Sequence, residues 1–299
     1  MVHGMIGSSE RTQQQLQGDV RLRDRGSPPV GRSALTRLLR PLLRSSVALA
    51  AFIFVPAFSA GLNDTGITFC ADAVNNNANC GAVAGDGGSF PRQDARYGRD
   101  AQNDVTKFTK IGGGGKGFDY TKIANDGGDR PASASLGGAI NDWACTRDNV
   151  TGLIWEVKTS SGLRSVNYTY SWYSSNTLSN ANFNVDPSLG ICETAGTCDT
   201  EKYVAAVNFA GLCGATDWRM PTVKELEGLS DFSRLNPAID TDYFPNTKPS
   251  SPYWSGIASA HLPDADSKYY AWVVSTLDGR SNAEYRPNPR FVRLVRGGL

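Results

Sequence analysis

The sequence predicts an α+β domain in which two short helices pack on a small, twisted antiparallel sheet. Three observations predict it. Helix signals are confined to residues 199–229, strand-like runs flank them, and six cysteines follow an apolar leader-like segment.

The chain opens with a segment unlike the rest. Residues 1–59 carry eight arginines against Glu10, Asp19 and Asp24, and a charge-free apolar run occupies 47–55. Pro56 and the small-x-small triplet Ala57-Phe58-Ser59 follow. A basic region, a short apolar run and a small-residue cleavage site make up an export signal. A Ser/Arg-rich organelle-type leader or an internal start would give the same pattern. The run is short for a bilayer, so no stable span is expected after leader removal. The protein is therefore expected outside the cytoplasm: periplasmic, at the cell surface or secreted.

Residues 60–140 read as a loop-rich extension, with Asn and Gly clusters at 75–77, 85–88, 112–115 and 126–129 and one expected strand at 105–111. The run Gly112 to Gly115 before Lys116 lacks P-loop spacing and reads as a flexible turn. Residues 141–299 carry the domain proper. The run TGLIWEVK at 151–158 alternates as a strand does, and 168–173 is a second strand or a loop. Asp199 caps a helix over 200–210, with Tyr203, Val207 and Ala210 inward and Gly211 at its stop. Thr222 and Glu225 form a capping-box pattern, opening a second helix with Leu226 and Leu229 inward. A turn-rich loop at 236–252 precedes strand-like runs at 253–257, 270–276 and 291–296, with Asp278-Gly279 as a hairpin turn.

Composition excludes several functions. Lys+Arg is 30 and Asp+Glu is 29. After the leader, 22 basic and 26 acidic residues remain, so no nucleic-acid partner is expected. Only His3 and His261 are present, so a histidine-rich metal centre is excluded and a histidine base would have to be His261. The cysteines lack any C-x-x-C pair, so an exported chain reads them as three disulfides. Fifteen pairings exist. Joining near neighbours gives Cys70–Cys80 and Cys192–Cys198, with Cys145–Cys213 as the long-range tie.

Four blocks carry a resemblance. They are CTRDNVTGLIWE at 145–156; AGLCG at 210–214 with DWRMPT at 217–222 and Glu225-Leu226; YWS at 253–255; and AWVV at 271–274 with VRLVRGG at 292–298. Together they resemble the Lcl C-terminal domain family, named for the end domain of a Legionella collagen-like adhesin. The segment QDARYGRD at 93–100 resembles one often found before it. The resemblance implies a C-type-lectin-like domain of exported bacterial surface proteins, with the ligand face on the last strands and their loops. The adhesin binds sulfated glycans beside a collagen-like stalk, and no Gly-X-Y run occurs here.

The expected function is recognition without catalysis, of glycans, sulfated or acidic ones among them. Tyr253, Trp254, Tyr270, Trp272, Asn282, Tyr285, Arg286, Asn288 and Arg290 are the candidate ligand residues. Aromatic faces with fixed polar groups hold sugars. Arg286, Arg290, Arg293 and Arg296 form a cluster able to grip sulfate or carboxylate. Tyr270 and Trp272 share a face by alternation. The rival is a display module binding cell-surface protein through a variable C-terminal face. A formylglycine-generating-type enzyme would need a reactive cysteine, and Cys213 is the nearest. No cofactor is expected beyond a structural calcium, for which Asp94, Asp100, Asp104, Asp148, Asn149, Asp240 and Asp242 are candidates. Asp240 with Asp242, or Asp264 with Asp266, are the nearest carboxylate pairs for glycosidase chemistry.

Overall fold

The computed structural model describes residues 61–76, 78–81, 90–101, 109–176, 188–259 and 269–297, all within the compact unit Ala57–Leu299. The leader, Asp104, residues 105–108 of the strand expected at 105–111, and His261, Asp264 and Asp266 lie outside the described residues, and 109–111 are not in a strand. In chain order the elements are α1 (Asp94–Tyr97), β1 (Tyr120–Ala124), β2 (Asp129–Arg130), β3 (Trp143–Asp148), β4 (Ile154–Glu156), α2 (Thr200–Ala210), α3 (Val223–Glu227), β5 (Pro252–Ala258), β6 (Tyr270–Ser275), β7 (Ser281–Tyr285) and β8 (Val295–Arg296).

Two antiparallel sheets form the frame, one in the order β2-β1-β3-β4-β8 and one in the order β5-β6-β7. The expected single small sheet is thus two. The loop-rich extension supplies β1 and β2, and β1 pairs with β3 from Tyr120↔Asp148 to Ile123↔Cys145. Sequence patterning missed β1 and β3 because they bury charge. Lys122 and Asp148 are 8% and 1% exposed, and a strand that hides such residues does not alternate by hydropathy. The strand expected at 151–158 shortens to β4, since residues 148–152 form a turn held by Asp148.

The closing segment joins the sheets. Phe291 bridges β5, and its carbonyl accepts from Trp254 N at 2.9 Å. Four residues later Val295 pairs with Trp155 in β4. The helices follow their local signals. Asp199 accepts from Lys202 N at 2.9 Å, Gly211 ends α2 in the left-handed region, and Thr222 and Glu225 complete a capping box. Ala210, expected inward, is exposed, while Tyr203 and Val207 are buried.

Two cores result. One gathers Trp172, Trp218 and Trp254 around Tyr203, Val207 and Val273. The other packs Phe118, Tyr120, Trp155, Leu226, Phe244 and Val295. Buried indoles need acceptors, and Trp172 and Trp254 each donate to a backbone carbonyl at 2.8 Å. All three disulfides pair as the near-neighbour reading proposed. Cys145–Cys213 ties β3 to the single 3-10 turn Leu212–Gly214 that follows α2. The glycine run at 112–115 is packed against its surroundings rather than a free turn. A Cβ on Gly112 would overlap the Tyr120 carbonyl, and one on Gly113 the Tyr243 hydroxyl.

Candidate functional site

The four C-terminal arginines do not form a patch. Arg286 is 1% exposed, stacks 4.3 Å from the Trp172 ring, and donates from Nε to the Tyr270 carbonyl at 3.0 Å. Burial lowers its pKa to about 10. Arg290 pairs with Glu284 at 2.9 Å. Arg293, 2% exposed, donates to the Glu156 carbonyl at 2.7 Å and to Thr247 Oγ1 at 2.8 Å. Arg296 pairs with Asp217 at 2.6 Å. The segment passes from one sheet to the other, so each arginine meets a different neighbourhood. The expected anion-gripping cluster is therefore corrected to four separate structural contacts.

Three other expected ligand residues change roles. Tyr253 and Trp254 are 3% and 0% exposed, because β5 is covered on both faces. The Tyr253 hydroxyl accepts from Lys248 N at 3.0 Å. Together with Arg286 they hold the frame and do not face a ligand. Asn282 is exposed, yet it pairs with Val273 and lies on the opposite face of β7 from Tyr285.

A buried polar network takes the place of the arginine patch as the densest electrostatic feature. Glu156 is 0% exposed and accepts from Lys158 Nζ at 2.8 Å, from the Tyr203 hydroxyl, and from Leu294 N at 2.9 Å. Lys158 is 2% exposed and also donates to Tyr203 Oη at 2.8 Å. Burial opposes the Glu156 charge, but Lys158 and the hydrogen bonds outweigh it and keep its pKa below the usual value. Burial brings Lys158 down to about 8 against the pull of Glu156. The two-residue spacing of Glu156 and Lys158 was the available signal. It places both on one strand face, where each supplies the other's counter-charge. With Arg293 and Leu294 the network locks β4, α2 and the closing segment together.

What the structure does bring together is an aromatic strip. Register places Tyr270, Trp272, Ala283 and Tyr285 on one face of the β6–β7 hairpin. Tyr270 and Tyr285 meet edge-on at 5.8 Å between ring centres, and Tyr269 lies 6.2 Å from Tyr285. Tyr285 is 40% exposed, and Tyr269, Tyr270 and Trp272 are half-buried. Small Ala283 sits opposite Trp272 across the hairpin. Asn288 is exposed at its end, its N–H held by the Tyr285 carbonyl at 2.9 Å.

Two of the candidate carboxylates, Asp240 and Asp148, serve as turn acceptors. Asp240 accepts from Asp242 N at 3.1 Å, and Asp148 from Val150 N at 2.9 Å. Asn149 donates to Asp119 at 2.9 Å. Asp94 and Asp100 are raised by burial first and then by neighbouring carboxylates, Asp64 among them. Among the described residues no group of three or more His, Cys, Asp or Glu side chains is arranged to hold a metal ion. All six cysteines are in disulfides, Cys213 included.

A model of the Lcl C-terminal domain matches residues 144–296, half of the chain, and the chain belongs to that family. No curated protein and no solved structure matches it. The family indicates an extracellular, surface-associated domain, and three disulfides fit an exported protein. No helix of the described residues is long and apolar enough to cross a membrane.

Proposed function

We propose that the chain is an exported, C-type-lectin-like surface-recognition domain that binds glycan, without catalysis, on the aromatic face of β6 and β7. One observation carries this reading: Tyr270, Trp272 and Tyr285 share one face of a hairpin braced by two cores. Aromatic faces give a sugar apolar area at low entropic cost, and the Tyr hydroxyls with Asn288 supply fixed hydrogen bonds. The C-terminal arginines are engaged in structural contacts, which supports a neutral glycan over a sulfated one. Disulfide pairing of every cysteine supports a role without a thiol nucleophile.

The test is a glycan array probed with the oxidised protein and with Tyr285→Ala. Binding to neutral glycans that ignores salt and falls roughly tenfold or more in the variant, with unchanged melting, is the expected result. Salt-steep binding to sulfated glycans that survives Tyr285→Ala would place the ligand elsewhere. A folded, clustered sample that binds nothing would end the glycan reading.

One observation favours protein display as the second reading. Among the described residues β7 is an unpaired edge. Arg280 and Arg286 bond toward β6, so the backbone groups of Ser281 and Ala283 face outward, where a partner strand could add. A photo-crosslinker at position 283 that captures a protein, with an empty array, would select this reading.

A further inference from the structure

A polar pocket of about 560 Å³ lies where the extension meets the family-matched residues. Gly114, Gly115 and Lys122 line it together with Arg234, Asp240 and Asp242. Half of its wall therefore comes from residues before 144, the start of the family match.

Its lining includes a buried cation without a counter-ion among the described residues. Lys122 is 8% exposed, its Nζ sits 3.9 Å from the centre of the Trp143 ring, and it donates to the Ala134 carbonyl at 2.9 Å. Among the described residues it makes no ion pair. An ammonium has three donors, and a single hydrogen bond uses one of them, the Tyr243 ring of the pocket lying 5.8 Å from Nζ. Burial lowers its pKa, and only the more distant charge of Asp242 opposes this. A half-satisfied buried charge is costly unless something supplies the missing partner.

Arg234 adds a second cation to the lining. Arg234 binds Asp231 through Nε at 2.9 Å, while its Nη2 stands 3.7 Å from Asp240, too far for a hydrogen bond. Asp240 is already occupied by the N–H groups of Gly115 and Asp242, at 2.9 and 3.1 Å. Asp242 differs. It is exposed, and its carboxylate accepts no hydrogen bond among the described residues. Gly115 keeps the wall bare, since a Cβ there would stand 3.4 Å from Arg234 Nη2.

Lys122 and Arg234 offer unused donors to an anion, and Asp242 offers unused acceptors to hydroxyl groups. We propose that this pocket binds a small polyhydroxylated carboxylate, its carboxylate held by Lys122 and Arg234 and its hydroxyls by Asp242. The planar guanidinium suits a carboxylate, and Lys122 adds a point charge. The site is separate from the aromatic face and does not rest on it.

Three six-carbon probes separate the two features: gluconate carries both, glucitol only the hydroxyls, and hexanoate only the carboxylate. Calorimetry on the oxidised protein, with Trp143 emission as a second readout, should show gluconate binding roughly tenfold or more tighter than either control. Lys122→Met should abolish gluconate binding, and Asp242→Asn should bring gluconate down to the level of hexanoate. Trp143→Phe should remove the emission change while calorimetric binding remains. If Lys122→Met fails to fold, Gly115→Ala serves instead. Its Cβ meets only ordinary contacts, so it should melt like the parent and bind gluconate more weakly. Tyr285→Ala should bind gluconate as the parent does, whatever its effect on glycans. Equal binding of gluconate, sulfate and phosphate would overturn the proposal in favour of an unselective anion site. Equal binding of hexanoate, or no saturable binding by the folded protein, would also overturn it.

Discussion

Glu156 is fully buried with Lys158 beside it, and neither charge can be removed alone without leaving the other stranded. Glu156→Gln should cost on the order of 3–5 kcal/mol in urea unfolding, and adding Lys158→Met should recover part of it. The pH response follows from Lys158. Its folded pKa of about 8 lies below the ordinary lysine value of 10.5, so the folded chain binds fewer protons between the two. This contribution to stability therefore rises as pH increases through that interval, and Lys158→Met should abolish the rise. Arg286 and Arg290 should also part company. Arg286→Ala strips a buried stack from Trp172 and should cost about 2 kcal/mol or more. Arg290→Ala breaks a half-exposed ion pair with Glu284 and should cost under about 1 kcal/mol. Paired melts of the two variants would check this, and similar losses would contradict the assignment.

Among the elements, the helices were legible because their signals are local. Asp199 reaches Lys202 N, and Thr222 and Glu225 exchange bonds within one turn. The near-neighbour cysteine pairs were legible for the same reason. β1 and β3 were not, since Lys122, Thr146 and Asp148 are buried through partners far away in sequence. The Thr146 hydroxyl, for example, donates to the Tyr243 carbonyl at 2.9 Å. The disulfides should differ in worth. Cys145–Cys213 spans 68 residues and Cys192–Cys198 spans 6. In the chain-entropy model their removal costs about 4 and about 2 kcal/mol. Double Cys→Ala variants compared by urea melts would test that order, and a larger loss from the short loop would count against it.

At the scale of the whole molecule, the two sheets and the segment joining them sort the C-terminal side chains. Tyr285 is exposed and Trp272 half-buried, whereas Trp254 and Arg286 fall inside. Variants should follow this sorting. Tyr285→Ala should lose glycan binding with little change in melting, and Trp254→Ala should lose stability first, on the order of 3–5 kcal/mol. The extension also completes the molecule, because β1 is the ladder partner of β3. Cutting the chain at 140 should therefore leave Lys122's strand missing and β3 as an unpaired edge, which aggregation during refolding would reveal.

The residues alone determined the helix caps, the presence of three disulfides and the family, because caps, an even cysteine count and contiguous motif blocks are written in short stretches of chain. Only the tertiary structure decided where charge goes. Four arginines close together in sequence part because the segment bearing them crosses from one sheet to another. A lysine in the extension and an arginine from a distant loop line one pocket. Each outcome depends on contacts between residues far apart along the chain, and no local pattern records those.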